Sequence, residues 1–359
     1  MTTRLLAGTL LLAVPLAAGG RHAAARDDVA GADADSRLPA RLVQTGLYRA
    51  EDVRMVDERN RAFAPQYPLW SDGAVKRRWM FLPEGTRIDG SEPARWRFPV
   101  GTRFWKEFAF GGRRVETRLL WKTADAGWLA AAYVWNEAGT DALLAPEAGL
   151  PGVVEIAPGR RHGIPSRADC AACHGSERAP LGVNALQLSD DRDAQAIHGE
   201  PLMPGMVTYR ALLDARLLIS HGDMAAGREP RVAARHPQAR AVLGYLAANC
   251  GTCHDGSAAI TAQVPSLAYA DIMRDGDAVA RSLIGQPTRW QAPGMGNRPA
   301  LLLDLHAPEA SALLLRMASR RPSSQMPPLG TVVRDEQALE AIRGWLESVR
   351  AERAMRTTQ

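Results

Sequence analysis

Between residues 61 and 160 apolar and polar positions alternate. Thr102 to Phe110 reads Thr-Arg-Phe-Trp-Lys-Glu-Phe-Ala-Phe, and Arg114 to Leu119 reads Arg-Val-Glu-Thr-Arg-Leu, with Gly111-Gly112 between them. A period of two in aromatic and β-branched residues predicts strands, and the glycine pair predicts a tight hairpin. Gly127 to Trp135 reads as the next strand and ends at a turn over Asn136–Gly139. Short strands at this spacing predict an antiparallel sandwich-like or barrel-like domain. Seven of the nine tryptophans fall between residues 70 and 135, where they serve core and hairpin packing. Trp70-Ser71-Asp72-Gly73 reads as a turn closed by Asp72.

The pattern changes after residue 160. A short helix is expected near Tyr209–Leu218, with loop around it. Pro237 to Asn249 predicts a helix that runs directly into Cys250. Asp335 predicts the N-cap of a last helix reaching about Arg350, with Glu336 in its first turn. The expected fold class is α+β and multidomain. Residues 61–160 form the β-sandwich-like domain. Residues 161–236 form a segment around the first cysteine pair, and residues 237–359 form a mainly helical domain around the second.

The N-terminus adds a compartment. Arg4 precedes an apolar run of 14 residues, Leu5 to Ala18, and Ala23-Ala24-Ala25 is a small-residue cleavage site. Residues 1–25 therefore read as a secretory signal, and 26–60 as a flexible N-terminus. The expectation is a periplasmic protein with no integral membrane span once the signal is removed. Cleavage after Ala25 removes Arg4 and Arg21 and lowers the formal charge from +5 to +3. The basic residues are scattered, and only Lys76, Lys106 and Lys122 among the 44 are lysine, so nucleic acid is not an expected partner.

Export normally brings disulfides, yet all four cysteines sit in two copies of another pattern. These are Cys170-Ala-Ala-Cys173-His174 and Cys250-Gly-Thr-Cys253-His254. Cysteines three apart on a helical turn share a face and reach both vinyl groups of one porphyrin, while the following histidine meets the iron. A four-cysteine zinc site pairs its knuckles at roughly 15–20 residues. Here 76 residues separate Cys173 from Cys250. A structural disulfide would leave both histidines unexplained. The pattern thus predicts two covalently attached haem c groups, with Cys170, Cys173, Cys250 and Cys253 as anchors and His174 and His254 as iron ligands.

Met326-Pro-Pro-Leu-Gly330 lies 72 residues after His254, just before the last helix. Its thioether suits the sixth position of the second iron, in a loop stiffened by two prolines. Pro265 is the expected carbonyl partner of His254, and Arg316 a candidate propionate partner. For the first iron the distal ligand stays open: Met224, His221 and Met203 are the candidates, with His198 and Met206 behind them.

The last third resembles the cytochrome c domain family through Asn249-Cys250-Gly-Thr-Cys253-His254, Met326-Pro-Pro-Leu-Gly330 and the helix carrying Trp345. Most of residues 60–350 is similar to a family of exported bacterial di-haem c-type cytochromes. The shared stretches are Tyr67-Pro-Leu-Trp-Ser-Asp-Gly-Ala-Val-Lys76, Phe98-Pro-Val-Gly-Thr102, Val115-Glu-Thr-Arg118 and Pro180-Leu-Gly-Val-Asn-Ala-Leu-Gln-Leu188, together with the Met326 loop. The cytochrome c resemblance implies a crossing of first and last helices, with Gly244 and Trp345 as the close pair. The di-haem resemblance implies single-electron transfer between redox protein partners and no established substrate. Two alternatives stay open: a di-haem oxidoreductase of peroxidase-like kind with an open first haem, and a binding module whose β domain recognises a ligand.

Overall fold

A computed structural model describes residues 38–49, 52–124, 127–175, 180–220, 229–257, 264–291 and 299–357. The proposed signal, and candidates His221 and Met224, lie outside the described residues. The strands are β1 (Arg61–Ala62), β2 (Val75–Phe81), β3 (Ile88–Asp89), β4 (Arg103–Phe110), β5 (Arg113–Ala124), β6 (Gly127–Trp135), β7 (Ala142–Leu144), β8 (Leu150–Ala157), β9 (Arg160–Ile164) and β10 (Leu218–Ile219). The helices are α1 (Arg167–His174), α2 (Tyr209–Asp214), α3 (Pro237–Asn249), α4 (Tyr269–Leu283), α5 (Ala312–Ala318) and α6 (Glu336–Thr357).

Instead of a sandwich, one antiparallel sheet of six strands forms, in the order β1-β2-β4-β5-β6-β7. Two ribbons accompany it, β8–β9 antiparallel and β3–β10 parallel. Gly111 and Gly112 turn β4 into β5 at φ of 55° and 79°, which other residues adopt only with strain. A second full sheet is not needed, because chain segments cover both faces of the first.

On one face Trp79, Trp105 and Leu119 line up across three strands. Residues 39–48 cover them. The Trp105 indole donates to the Thr45 hydroxyl at 2.9 Å, and the Tyr133 hydroxyl donates to the Pro39 carbonyl at 3.0 Å. The expected flexible segment is thus folded from Pro39 onward, because Leu42 and Leu47 are fully buried. The opposite face divides in two. The row Met80–Phe104–Leu120 joins an apolar core with Ile88, Trp96, Val183 and Tyr209. The next row along the strands is Arg78–Lys106–Arg118, and it is charged.

The helices build a second core from Leu243, Leu246, Ile272, Leu303, Ile342 and Trp345, among others. Tyr67, Leu186 and Ile197 are part of it. From Pro39 onward the described residues form one compact unit. The atoms nearest a Cβ placed on Gly244 belong to the Tyr67 ring, not to Trp345, so the close approach links α3 to the segment before β2. Asp335 does cap α6, accepting from the Ala338 N–H at 3.0 Å. Among the described residues no helix is long and apolar enough to cross a membrane.

Candidate functional site

The first Cys-x-x-Cys-His stretch forms α1. Ser166 caps it, its hydroxyl accepting from the Asp169 N–H at 3.1 Å while the Asp169 carboxylate accepts from the Ser166 N–H at 3.0 Å. The helix packs beside β6. None of the four cysteines is in a disulfide. Burial raises the pKa of Cys170, and its neighbour Arg118 only partly opposes this. The His174 Nδ1 is buried without a hydrogen-bond partner. Burial, then the charges of Lys106 and Arg118, hold its imidazole down at about 4, so it stays neutral as an iron ligand must.

Beneath α1 lies a set of charges the sequence analysis missed. Glu116 is fully buried on β5. Arg118 donates to it from Nε at 2.9 Å and from a terminal nitrogen at 2.6 Å. His162 on β9 meets the same oxygen as the Arg118 terminal nitrogen, Nε2 to Oε1 at 2.9 Å. The Nδ1 of His162 lies 3.7 Å from Asp72 Oδ2. Asp72 in turn accepts the N–H groups of Val332 and Val333 at 2.8 and 3.0 Å. One buried chain of charges thus runs from the segment after the Met326 loop to the sheet under α1. Burial favours a neutral Glu116, but Arg118 and His162 outweigh it and hold the carboxylate pKa down. Burial likewise opposes charging His162, but Asp72 and Glu116 raise its pKa. Alternation along β5 puts Glu116 and Arg118 on one face, but it carries no information on what covers that face.

Lys76 and Lys106 belong to the same face. Arg78 beside them is matched by Glu200, at 2.6 and 3.0 Å. Lys76 donates to the Leu69 carbonyl at 2.9 Å, and Lys106 lies 4.9 Å above the Phe108 ring. Neither ammonium is paired with a carboxylate among the described residues. Burial pushes Lys76 down to about 8 and Lys106 well below its ordinary value, with neighbouring cations adding to both.

The second stretch follows α3 as a further helical turn, with the His254 and Cys253 N–H groups donating to the Cys250 carbonyl at 2.9 and 3.1 Å. Burial raises the Cys250 thiol to about 12. Gly251 is required here, because a Cβ would strike the Leu267 and Ala247 carbonyls. Asn249 holds the turn against the β region, accepting from the Trp70 N–H at 2.7 Å. Burial and then Arg316 lower the pKa of His254. The Met326 N–H donates to the Arg316 carbonyl at 3.0 Å, so Arg316 links the Met loop to the side on which His254 lies. The His254 Nδ1 is buried without a partner, so the Pro265 carbonyl does not accept from it.

The open distal candidates divide. Met203 is 56% exposed, and its N–H donates to the Met206 sulfur at 3.4 Å. His198 is committed elsewhere: its Nε2 lies 2.8 Å from Asp335, and its ring stacks on Trp70 at 4.8 Å. Among the described residues no three His, Cys, Asp or Glu side chains converge to hold a metal ion directly, so the two cysteine pairs do not make one four-thiolate site. The spacing of both stretches fits a porphyrin: each sets two cysteines and a part-buried histidine on one helical turn. No family model matches this chain, and no curated protein and no solved structure matches it.

Proposed function

We propose that the protein is an exported, periplasmic di-haem c-type cytochrome that carries single electrons between redox protein partners. The observation that carries this reading is the repeated Cys-x-x-Cys-His turn, which uses all four cysteines of the chain. Raised thiol pKa values speak against a dithiol redox centre, which needs an accessible thiolate. Cys170, Cys173 and His174 would hold the first haem, and Cys250, Cys253 and His254 the second. The haem iron supplies reversible one-electron chemistry when bound.

The remaining groups position and protect. Met326 would offer its thioether to the second iron, a soft donor that would raise its potential. The Arg316 carbonyl anchors its backbone, and Asp72 holds the chain just beyond the loop. Asn249 fixes the approach of α3 to the β region.

A second reading is an oxidoreductase with an open first haem, in which neither the exposed Met203 nor His198, bonded to Asp335, would meet the iron. The test is the protein expressed with its full chain in a host able to attach haem c. An intact mass two haems above the polypeptide supports the proposal, and Cys170→Ser with Cys173→Ser should remove one. A mass without covalent haem would overturn it. A carbon monoxide difference spectrum of the reduced protein then separates the two readings: no change supports electron transfer, and a shifted Soret band supports the open haem.

A further inference from the structure

Four cations crowd one end of the sheet face under α1. Arg78, Lys106 and Arg118 are direct neighbours across β2, β4 and β5, and Lys76 stands two residues from Arg78 on β2. Like charges in adjacent register repel, and half-buried ammonium groups lose hydration. Such a cluster is stable when anions match it. Two matches are present, Glu200 on Arg78 and Glu116 on Arg118. Among the described residues Lys76 and Lys106 have a carbonyl and a ring but no carboxylate partner. The face therefore offers two buried amines that an anion would hold in the charged form, with Lys106 on the side toward His174.

Lysine is also the unusual choice here. The chain has three lysines among 44 basic residues, and two of them stand together on this face. A lysine ammonium is a compact point charge on a flexible stem and can reach a carboxylate from the sheet.

We propose that Lys106 and Lys76 receive the two propionate carboxylates of the haem carried by Cys170, Cys173 and His174, so that the β sheet forms one wall of that haem site. The inference rests on the cytochrome reading above. It goes further by giving the first haem an orientation and by giving the β region a role in setting its potential. Two carboxylates hold both amines in the charged form. The cations in turn stabilise the reduced haem over the oxidised one, because the oxidised iron centre carries one more positive charge.

The experiment uses the holoprotein and its Lys106→Met and Lys106→Arg variants. Intact mass first confirms two haems in each. Spectroelectrochemistry then reads both midpoint potentials, and resonance Raman reads the propionate bending bands. Lys106→Met should lower the first haem's potential, shifting its equilibrium about tenfold toward the oxidised form, and should move a propionate band. The second haem should not move, and Lys106→Arg should restore most of both changes. If Lys106→Met loads only one haem, Lys106→Gln takes its place. An unchanged potential with both haems attached overturns the assignment. A shifted potential with unmoved propionate bands overturns it too, because the charge would then act only through space. A wild-type potential that responds to added acetate, with the response lost in Lys106→Met, would put an external carboxylate on the lysine and overturn it as well. Wild-type protein without haem on Cys170 and Cys173 is a separate result, seen in the mass beforehand, and removes the cytochrome reading itself.

Discussion

Replacing Glu116 with glutamine tests the buried charge chain directly. Glu116 is fully buried and holds two partners, Arg118 at 2.6 and 2.9 Å and His162 at 2.9 Å. Breaking a buried pair by removing one partner costs about 3–5 kcal/mol, because the remaining charge is left uncompensated. Two features place the cost near the lower end. The Arg118 side chain keeps 32% exposure, so water still screens it. Glutamine also retains one acceptor for one of the two donors. The expected loss is about 3 kcal/mol, read from denaturant unfolding of the holoprotein.

The pH dependence supplies a second readout. The folded pKa of Glu116 is depressed, so its contribution is present above the unfolded carboxylate value and fades as pH falls through the folded value. The folded pKa of His162 is raised, so its contribution is complete below the unfolded value of 6.5 and fades as pH rises through the folded value. Wild-type stability from this chain should thus peak between the two transitions. Glu116→Gln removes the first dependence and weakens the second, so its stability profile should be flatter. A loss under about 0.5 kcal/mol with an unchanged pH profile would refute the reasoning, since surface substitutions alone give that much.

Three further outcomes are expected. Met326→Ala should lower the potential of the second haem and open it to carbon monoxide; an unchanged spectrum and potential remove Met326 from the ligand set. Gly244→Ala should cost about 1–3 kcal/mol in chemical denaturation, because its methyl group meets the Tyr67 ring, and a neutral result would mean that α3 and Tyr67 are not in contact. Asp335→Ala removes the cap on the Ala338 N–H and the partners of Tyr245 and His198 at 2.8 Å, so a loss of about 3 kcal/mol is expected, and one below about 1 kcal/mol would show these bonds to be replaceable by water.

Local sequence carried much of the outline. The Gly111-Gly112 hairpin, the strand at Gly127–Trp135, the helix at Pro237–Asn249 and the Asp335 cap depend on neighbours within a few residues, and all are present. The cysteine–histidine spacing is equally local, because one helical turn sets it. What covers each face is not local. Alternation across β5 distinguishes Glu116 and Arg118 from Leu119, but it does not say that α1 and β9 close over the charged side. Asp72 read as a turn residue, and the turn is there, yet its carboxylate is used by Val332 and Val333 some 260 residues away. A crossing of first and last helices pairs Gly244 with Trp345, whereas Tyr67 takes that place from outside the helices. Sequence by itself determined the elements and the two cysteine–histidine turns, whose geometry is a property of short backbone stretches. Tertiary structure alone decided which charges are buried together, because that depends on packing between segments that no periodicity connects.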